Sequence, residues 1–228
     1  MCIRDRSTAE LLVPQTAFAA PAPLATSARD VYRQVARARP GDTITLPAGV
    51  TTLDRPLAVP RGVTLQGDRR GTVLRIARRA ADAFGYSFMI GPSEDSRNVT
   101  VRDISLDGSR SRGIPDNSGG GIKAGPSWTI SGIHLSNMSY FKIWVYRVAD
   151  VEVRRNVFDA SFGVSSGHDN IGGGRSRRVT LGSNTFDAST RGNAIDLVAP
   201  RDVTIADNTV TGAPGREHSC LLYTSRCV

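Results

Sequence analysis

Val151-Glu152-Val153-Arg154-Arg155-Asn156-Val157-Phe158, Val179-Thr180-Leu181-Gly182-Ser183-Asn184-Thr185-Phe186 and Val203-Thr204-Ile205-Ala206-Asp207-Asn208-Thr209-Val210 are three versions of one pattern. Each reads apolar, any, apolar, two small or polar positions, Asn, any, apolar. Two earlier copies keep the apolar columns and put Ile at the fifth step: Val99, Val101, Ile104, Leu106, and Trp128, Ile130, Ile133, Leu135. The first residues of the copies lie 29, 23, 28 and 24 positions apart, a spacing that predicts a solenoid with insertions of unequal length. Apolar residues two apart predict strands with one face inward. A leucine-rich repeat is excluded, because neither its leucine pattern nor a helix per repeat is present.

Asn156, Asn184 and Asn208 decide how the coils stack. With coils about 4.8 Å apart, an inward amide can donate to its equivalent in the next coil and also hydrogen-bond the turn backbone. Without such a ladder each would be a buried amide without a partner, costing about 1–3 kcal/mol.

Upstream, Ser27-Ala28-Arg29-Asp30 has the form of a capping box, and Val31, Val35 and Ala38 follow at helical spacing until Pro40-Gly41. Strand-like text follows at Thr43–Leu46, Leu57–Val59 and Val63–Leu65, and nothing later reads as helix. These repeats resemble coils of the pectate lyase-like right-handed parallel β-helix superfamily, and Pro40-Gly41-Asp42-Thr43-Ile44-Thr45-Leu46-Pro47-Ala48-Gly49 is similar to its entry segment, where a helix covers the open end of the core. The match runs from Ser27 to about Gly215. It implies an all-β fold, a solenoid of three-strand coils with a short N-terminal capping α-helix. It is specific for architecture and unspecific for activity.

The ends differ from the middle. Residues 1–7 and 216–228 resemble translated sequencing-adapter text, and all three cysteines, Cys2, Cys220 and Cys227, stand there. The remaining chain therefore has no disulfide framework and no cysteine metal site. Residues 8–26 read as the tail of a secretory signal with an Ala/Pro leader, Ala17-Phe18-Ala19 being the cleavage signal, which predicts secretion. The β-helix is assigned to 27–215 and is expected to lack C-terminal coils, leaving open strand edges prone to aggregation. No stretch approaches a membrane span. The formal charge of +8 comes from 27 Arg and two Lys against 21 acids, and residues 1–19 contribute nothing net to it. A basic surface suits an anionic partner. No nucleic-acid module is visible, and the sequence sets no oligomeric state.

In the resembled superfamily the Asn ladder marks the turn between the second and third strands, and the outer face of the first sheet forms the substrate groove. Reading back from the repeats, Ile122, Ile143, Ile171 and Ile195 should point inward. Alternation then aligns Lys123, Trp144, Gly172 and Asp196 in one outward column and Gly121, Lys142, Asn170 and Ala194 in another. Both lysines of the chain fall on this face. Lys142, His168, Asp196, Asp169 and Tyr140 are the catalytic candidates; Lys123, Trp144, Arg147, Asn170 and Arg191 are the substrate-binding candidates. Aromatic rings stack on sugars, cations pair with uronate carboxylates, and a neutral His or a Lys of lowered pKa can take the proton beside a uronate carboxylate. The bland readings are a solvated Lys, a loop His, a Trp covering the sheet and an Asp paired with Arg175 or Arg191.

The expectation is an enzyme of lyase or epimerase type acting on an anionic polysaccharide. Glycoside hydrolysis and a non-catalytic glycan-binding or adhesin role are the alternatives. Related polygalacturonases carry Asn-Thr-Asp, Asp-Asp and Gly-His-Gly motifs, of which only the partial echo Gly167-His168-Asp169 is present, and the Asp-Pro-His motif of some alginate epimerases is missing. No cofactor or metal is expected; Asp169, Asn170 and Asp196 are too few oxygens for the calcium site of pectate lyases. Gly119–Gly121 and Gly172–Gly174 lack the context of a phosphate loop, and Arg175-Ser176-Arg177-Arg178 reads as a solvated basic turn.

Overall fold

The computed structural model describes residues 27–109, 119–159, 171–187, 194–211 and 221–224. Three sheets of seven strands each, all parallel, wind into seven coils around one core. Sheet A holds Thr43–Thr45, Thr64–Gln66, Thr100–Arg102, Thr129–Ser131, Ala149–Arg154, Arg177–Gly182 and Arg201–Ala206. Sheet B holds Gly49–Leu53, Thr72–Ile76, Ser105–Asp107, His134–Ser136, Val157–Phe158, Thr185–Asp187 and Thr209–Thr211. Sheet C holds Leu57–Val59, Phe88–Pro92, Gly120–Lys123, Ile143–Tyr146, Ile171–Gly174, Ile195–Val198 and Leu221–Thr224. The chain visits the sheets in the order A, B, C in every coil. This is the right-handed parallel β-helix that the resemblance implies. Leu221–Thr224, read as part of the foreign tail, pairs in register with Ile195–Val198.

The core follows from the apolar columns. Ile44, Leu65, Val101, Ile130, Val153 and Leu181 stack on one another from sheet A, and Leu74, Leu106, Leu135, Phe158 and Phe186 from sheet B. All eleven are buried. The Phe158 and Phe186 rings stack 4.6 Å apart. Ile122, Ile143, Ile171 and Ile195 complete the interior from sheet C. Trp128 is the bulky member of its column, and it fits because Gly125 faces it: a Cβ at Gly125 would come within 2.5 Å of the indole Nε1. The seventh coil is less covered, and its Val210 is exposed.

The Asn ladder forms as expected. Asn156 Nδ2 donates to Asn184 Oδ1 at 3.0 Å, and Asn184 Nδ2 donates to Asn208 Oδ1 at 2.9 Å. Each amide also donates to a carbonyl of the preceding coil: Ile130, Val153 and Leu181. At the other end, helix α1 (Ala28–Arg37) buries Val31 and Val35 against the first coil, and Ser27 Oγ accepts from the Asp30 backbone N–H, as the capping box predicts. A short turn of 3₁₀ helix at Arg78–Ala80 leads into α2 (Ala81–Phe84), which the sequence reading had not foreseen. It buries Phe84 in the core.

Turn lengths are unequal among the three corners. From Thr100 onward two residues join sheet A to sheet B, as at Arg155-Asn156 and Ser183-Asn184. Two join C to A in coils four to six, at Arg147-Val148, Arg175-Ser176 and Ala199-Pro200. From B to C run the longer stretches 108–119, 137–142, 159–170, 188–194 and 212–220. From the fourth coil on, the length variation is thus gathered at one corner, beside the outer face of sheet C.

Candidate functional site

Strand register sets the outer face of sheet C. Lys123, Trp144, Gly172 and Asp196 stand opposite one another on successive strands, in the column expected from alternation. A second outward column is Tyr146, Gly174 and Val198. Neither Gly172 nor Gly174 brings a side chain, so Trp144 and Tyr146 are separated from Asp196 and Val198 by a bare strand. Two coil steps, about 9.6 Å, divide these walls.

Aromatic rings run continuously along the approach to this face. Tyr86 packs edge-on to Tyr140 at 5.7 Å, Tyr140 on Phe141 at 4.8 Å, Phe141 on Trp144 at 4.4 Å, and Trp144 stacks on Tyr146 at 5.6 Å. Phe88 supports Tyr140 from below at 5.6 Å. Tyr86 is 73% exposed and Tyr146 38%, so both ends of the run meet solvent. Burial raises the pKa of the Tyr140 hydroxyl, with a smaller contribution from Tyr86. A shallow pocket of about 180 Å³ lies beside the run, between Leu57, Ala58, Phe88, Gly91, Pro92 and Lys123.

Lys142 departs from its expected place. Alternation would set it outward in the open groove, but it precedes the Ile143–Tyr146 strand and is only 5% exposed. The residue belongs to the B-to-C corner, where strand alternation does not hold. Burial lowers its pKa to about 8, and Asp159 and Asp187 nearby oppose that fall by favouring the ammonium. These two acids hold equivalent positions, immediately after the stacked pair Phe158 and Phe186 or at that level of the repeat. Asp159 Oδ2 also meets His134 Nε2 at 2.6 Å on the outer face of sheet B.

Of the catalytic candidates, Lys142 and Tyr140 are therefore neighbours of one aromatic segment, whereas Asp196 is not among the charges that act on Lys142. Among the described residues Asp196 makes no ion pair, with Arg175 or any other partner. Lys123 and Arg147 are exposed, Lys123 beside the shallow pocket and Arg147 with its guanidinium carbon 5.1 Å from the Tyr146 ring. His168, Asp169, Asn170 and Arg191 lie outside the described residues. The sequence reading missed Tyr86, Phe141, Tyr146, Asp159 and Asp187. Two signals could have found all but Tyr86: the density of rings in Tyr140-Phe141-Lys142-Ile143-Trp144-Val145-Tyr146, in a chain only 6% aromatic, and the shared repeat position of the two acids.

A wider depression of about 480 Å³ lies over sheet A, lined by Asp150, Glu152, Arg178, Thr180, Asp202 and Thr204. Its lining includes an ion pair, Arg178 donating to both carboxylate oxygens of Asp150 at 2.6 and 2.8 Å. The pairing lowers the Asp150 pKa. It holds no aromatic ring, and the corners beside it are short turns. Among the described residues no three His, Cys, Asp or Glu gather as a metal site, and no helix is long and apolar enough to cross a membrane.

No protein-family model matches the chain, and no curated protein matches it. Solved structures do. A Parabacteroides merdae protein assigned as a glycosyl hydrolase aligns with a TM-score of 0.62 at 14% identity, covering 86% of this chain and 94% of that one. The ORF18 protein of Geobacillus virus E2 aligns with a TM-score of 0.63 at 10% identity, over 79% of this chain and 38% of its own. The catalytic domain of a GH87 α-1,3-glucanase in complex with nigerose aligns with a TM-score of 0.55 at 18% identity, over 75% of this chain and 30% of its own. The chain thus spans about a third of the length of the latter two. At such identities the likeness is one of fold.

Proposed function

We propose that this chain is a polysaccharide-active β-helix, which lays an acidic, uronate-containing polymer along the outer face of sheet C and performs proton-abstraction chemistry at the adjoining B-to-C corner. One observation carries this reading. The segment Tyr140–Tyr146 sets a run of aromatic rings toward that face and brings its single lysine, with a pKa lowered to about 8, within the field of two carboxylates from the next coils. Aromatic faces suit pyranose rings. The GH87 glucanase bound to nigerose supports a sugar-binding use of the scaffold, and the signal-like segment before the fold fits a secreted protein.

Abstracting the C5 proton of a uronate needs a base of near-neutral pKa. The Lys142 amine takes the proton, the C–H electron pair moves toward the uronate carboxyl, and Asp159 and Asp187 stabilise the ammonium so formed. If the C4–O bond then breaks, with Tyr140 giving its proton to the departing oxygen, the product carries a C4–C5 double bond. Return of a proton to the opposite face of C5 gives the epimer instead.

A second reading rests on the acid pair. Asp159 and Asp187 hold equivalent positions on adjacent coils, whose strands lie about 4.8 Å apart, and a close carboxyl pair is what a retaining glycosidase uses. The full chain incubated with polygalacturonate and alginate discriminates these readings. Ultraviolet absorbance from unsaturated ends, or solvent deuterium entering C5 without new ends, each abolished by Lys142→Met, is the expected result. New reducing ends without unsaturation, lost in Asp159→Asn, would establish hydrolysis. Absence of all three signals on every uronate polymer would overturn the reading.

A further inference from the structure

The corner where sheet C turns into sheet A carries arginines on consecutive coils. Arg147 and Arg175 occupy the same left-handed turn position, with φ of 54° and 52°, where glycine or asparagine is the ordinary occupant. Each backbone N–H donates to the next coil, Arg147 to Gly174 and Arg175 to Val198. Just beyond, Arg177 and Arg201 stand directly opposite each other on adjacent strands of sheet A. All four side chains are exposed, and among the described residues none makes a salt bridge. Like charges in register on neighbouring strands destabilise a sheet. Asp150 is engaged by Arg178 and also feels the charge of Arg177. Among the described residues Arg147 and Arg175 therefore have no ion-pair partner.

Their position supplies the partner's chemistry. Arg147 lies against the Tyr146 ring, Tyr146 stacks on Trp144, and Arg175 stands one coil farther along the same edge of the sheet C face. A sugar ring resting on Trp144 and Tyr146 has a guanidinium at its edge, and the next sugar along the axis meets another. Guanidinium groups pair carboxylates and sulfates in a planar, two-point fashion. We propose that Arg147 and Arg175 form an anion-pairing rim of the sheet C groove, reinforced by the field of Arg177 and Arg201, which selects acidic over neutral polysaccharides. The proposal rests on the sheet C reading above and adds the groups that set its charge preference.

Binding of the full chain is measured by affinity electrophoresis or calorimetry against polygalacturonate, dextran sulfate, and a neutral α-glucan, at two salt concentrations. The Arg147→Gln/Arg175→Gln double variant should bind polygalacturonate at least tenfold more weakly, with a shallower salt dependence, while its affinity for the neutral glucan stays within twofold. Trp144→Ala should weaken both. Arg178→Gln, which removes the same charge from a residue already paired with Asp150, should change neither by more than twofold. Weakening on polygalacturonate but not on dextran sulfate assigns the rim to carboxylates, and weakening on both assigns it to either anion. Equal losses in the Arg178→Gln and rim variants, or unchanged polygalacturonate binding in the rim variant, would overturn the rim while leaving the groove. If no polysaccharide binds and Trp144→Ala is silent, but duplex DNA or anionic vesicles bind through the rim, both the proposal and the sheet C reading fail. Unchanged thermal unfolding of each variant shows that loss of binding is not loss of fold.

Discussion

At Lys142 two opposing effects meet in one side chain. Burial favours the neutral amine, and Asp159 and Asp187 favour the charged form; burial wins, holding the pKa near 8 against an ordinary 10.5. Below about pH 8 the folded chain carries the full cost of a buried ammonium. Between pH 8 and 10.5 the unfolded chain binds more protons than the folded one, so stability from this group rises with pH. The stability of the wild type minus that of Lys142→Met should therefore increase from pH 7 to pH 10, by up to about 3 kcal/mol. Urea unfolding of both proteins at the two pH values checks this, and a difference that stays flat or falls would show that Lys142 is not desolvated in the fold. Other single residues act by shape. Gly173, at φ 143°, has no room for a side chain, because a Cβ would run into the Val145 carbonyl oxygen. This keeps the strand between Trp144 and Asp196 close to its neighbour.

The elements show which features a solenoid writes plainly into its sequence. Each coil repeats the same inward positions, so the columns through Val153, Phe158 and Asn156 can be aligned without any structure. The ladder makes this quantitative. Asn184 Oδ1 accepts from both the backbone N–H and the amide of Asn156, and its Nδ2 satisfies Val153 O. Asn184→Ala leaves these buried groups without partners and should cost about 3 kcal/mol. Asn208→Ala, in the less covered last coil, should cost about 1 kcal/mol, since water can replace the bonds. Equal losses in urea unfolding would mean that the ladder does not depend on burial. The first two coils escaped the repeat pattern because their A-to-B turns are longer, 46–48 and 67–71, which displaces Gly49–Leu53 and Thr72–Ile76 from the eight-residue frame. On sheet C, alternation correctly aligned Lys123, Trp144 and Asp196, because all three stand within strands. It failed for Lys142, which stands at a corner. The aromatic run was only partly legible, since Tyr86 reaches Tyr140 from a different coil.

Over the whole molecule, regularity and variation are segregated. From the fourth coil on, two corners are two-residue turns held by left-handed residues such as Arg155, Ser183 and Asp207 on one side and Arg147, Arg175 and Ala199 on the other. In these coils the third receives the length variation, and connections of that kind are where a rigid scaffold carries function. Aromatic rings, the lowered-pKa lysine and its two acids adjoin that variable corner; the arginine rim borders the opposite edge of the same sheet. The wider depression on sheet A has neither. Hydrogen–deuterium exchange of the full chain, with and without oligogalacturonate or alginate oligosaccharides, compares these faces directly. Binding along sheet C predicts slowed exchange in Ile143–Arg147 and Ile171–Arg175, with Thr180 and Thr204 on sheet A unchanged; protection confined to sheet A, or none on sheet C at saturating oligosaccharide, would contradict it.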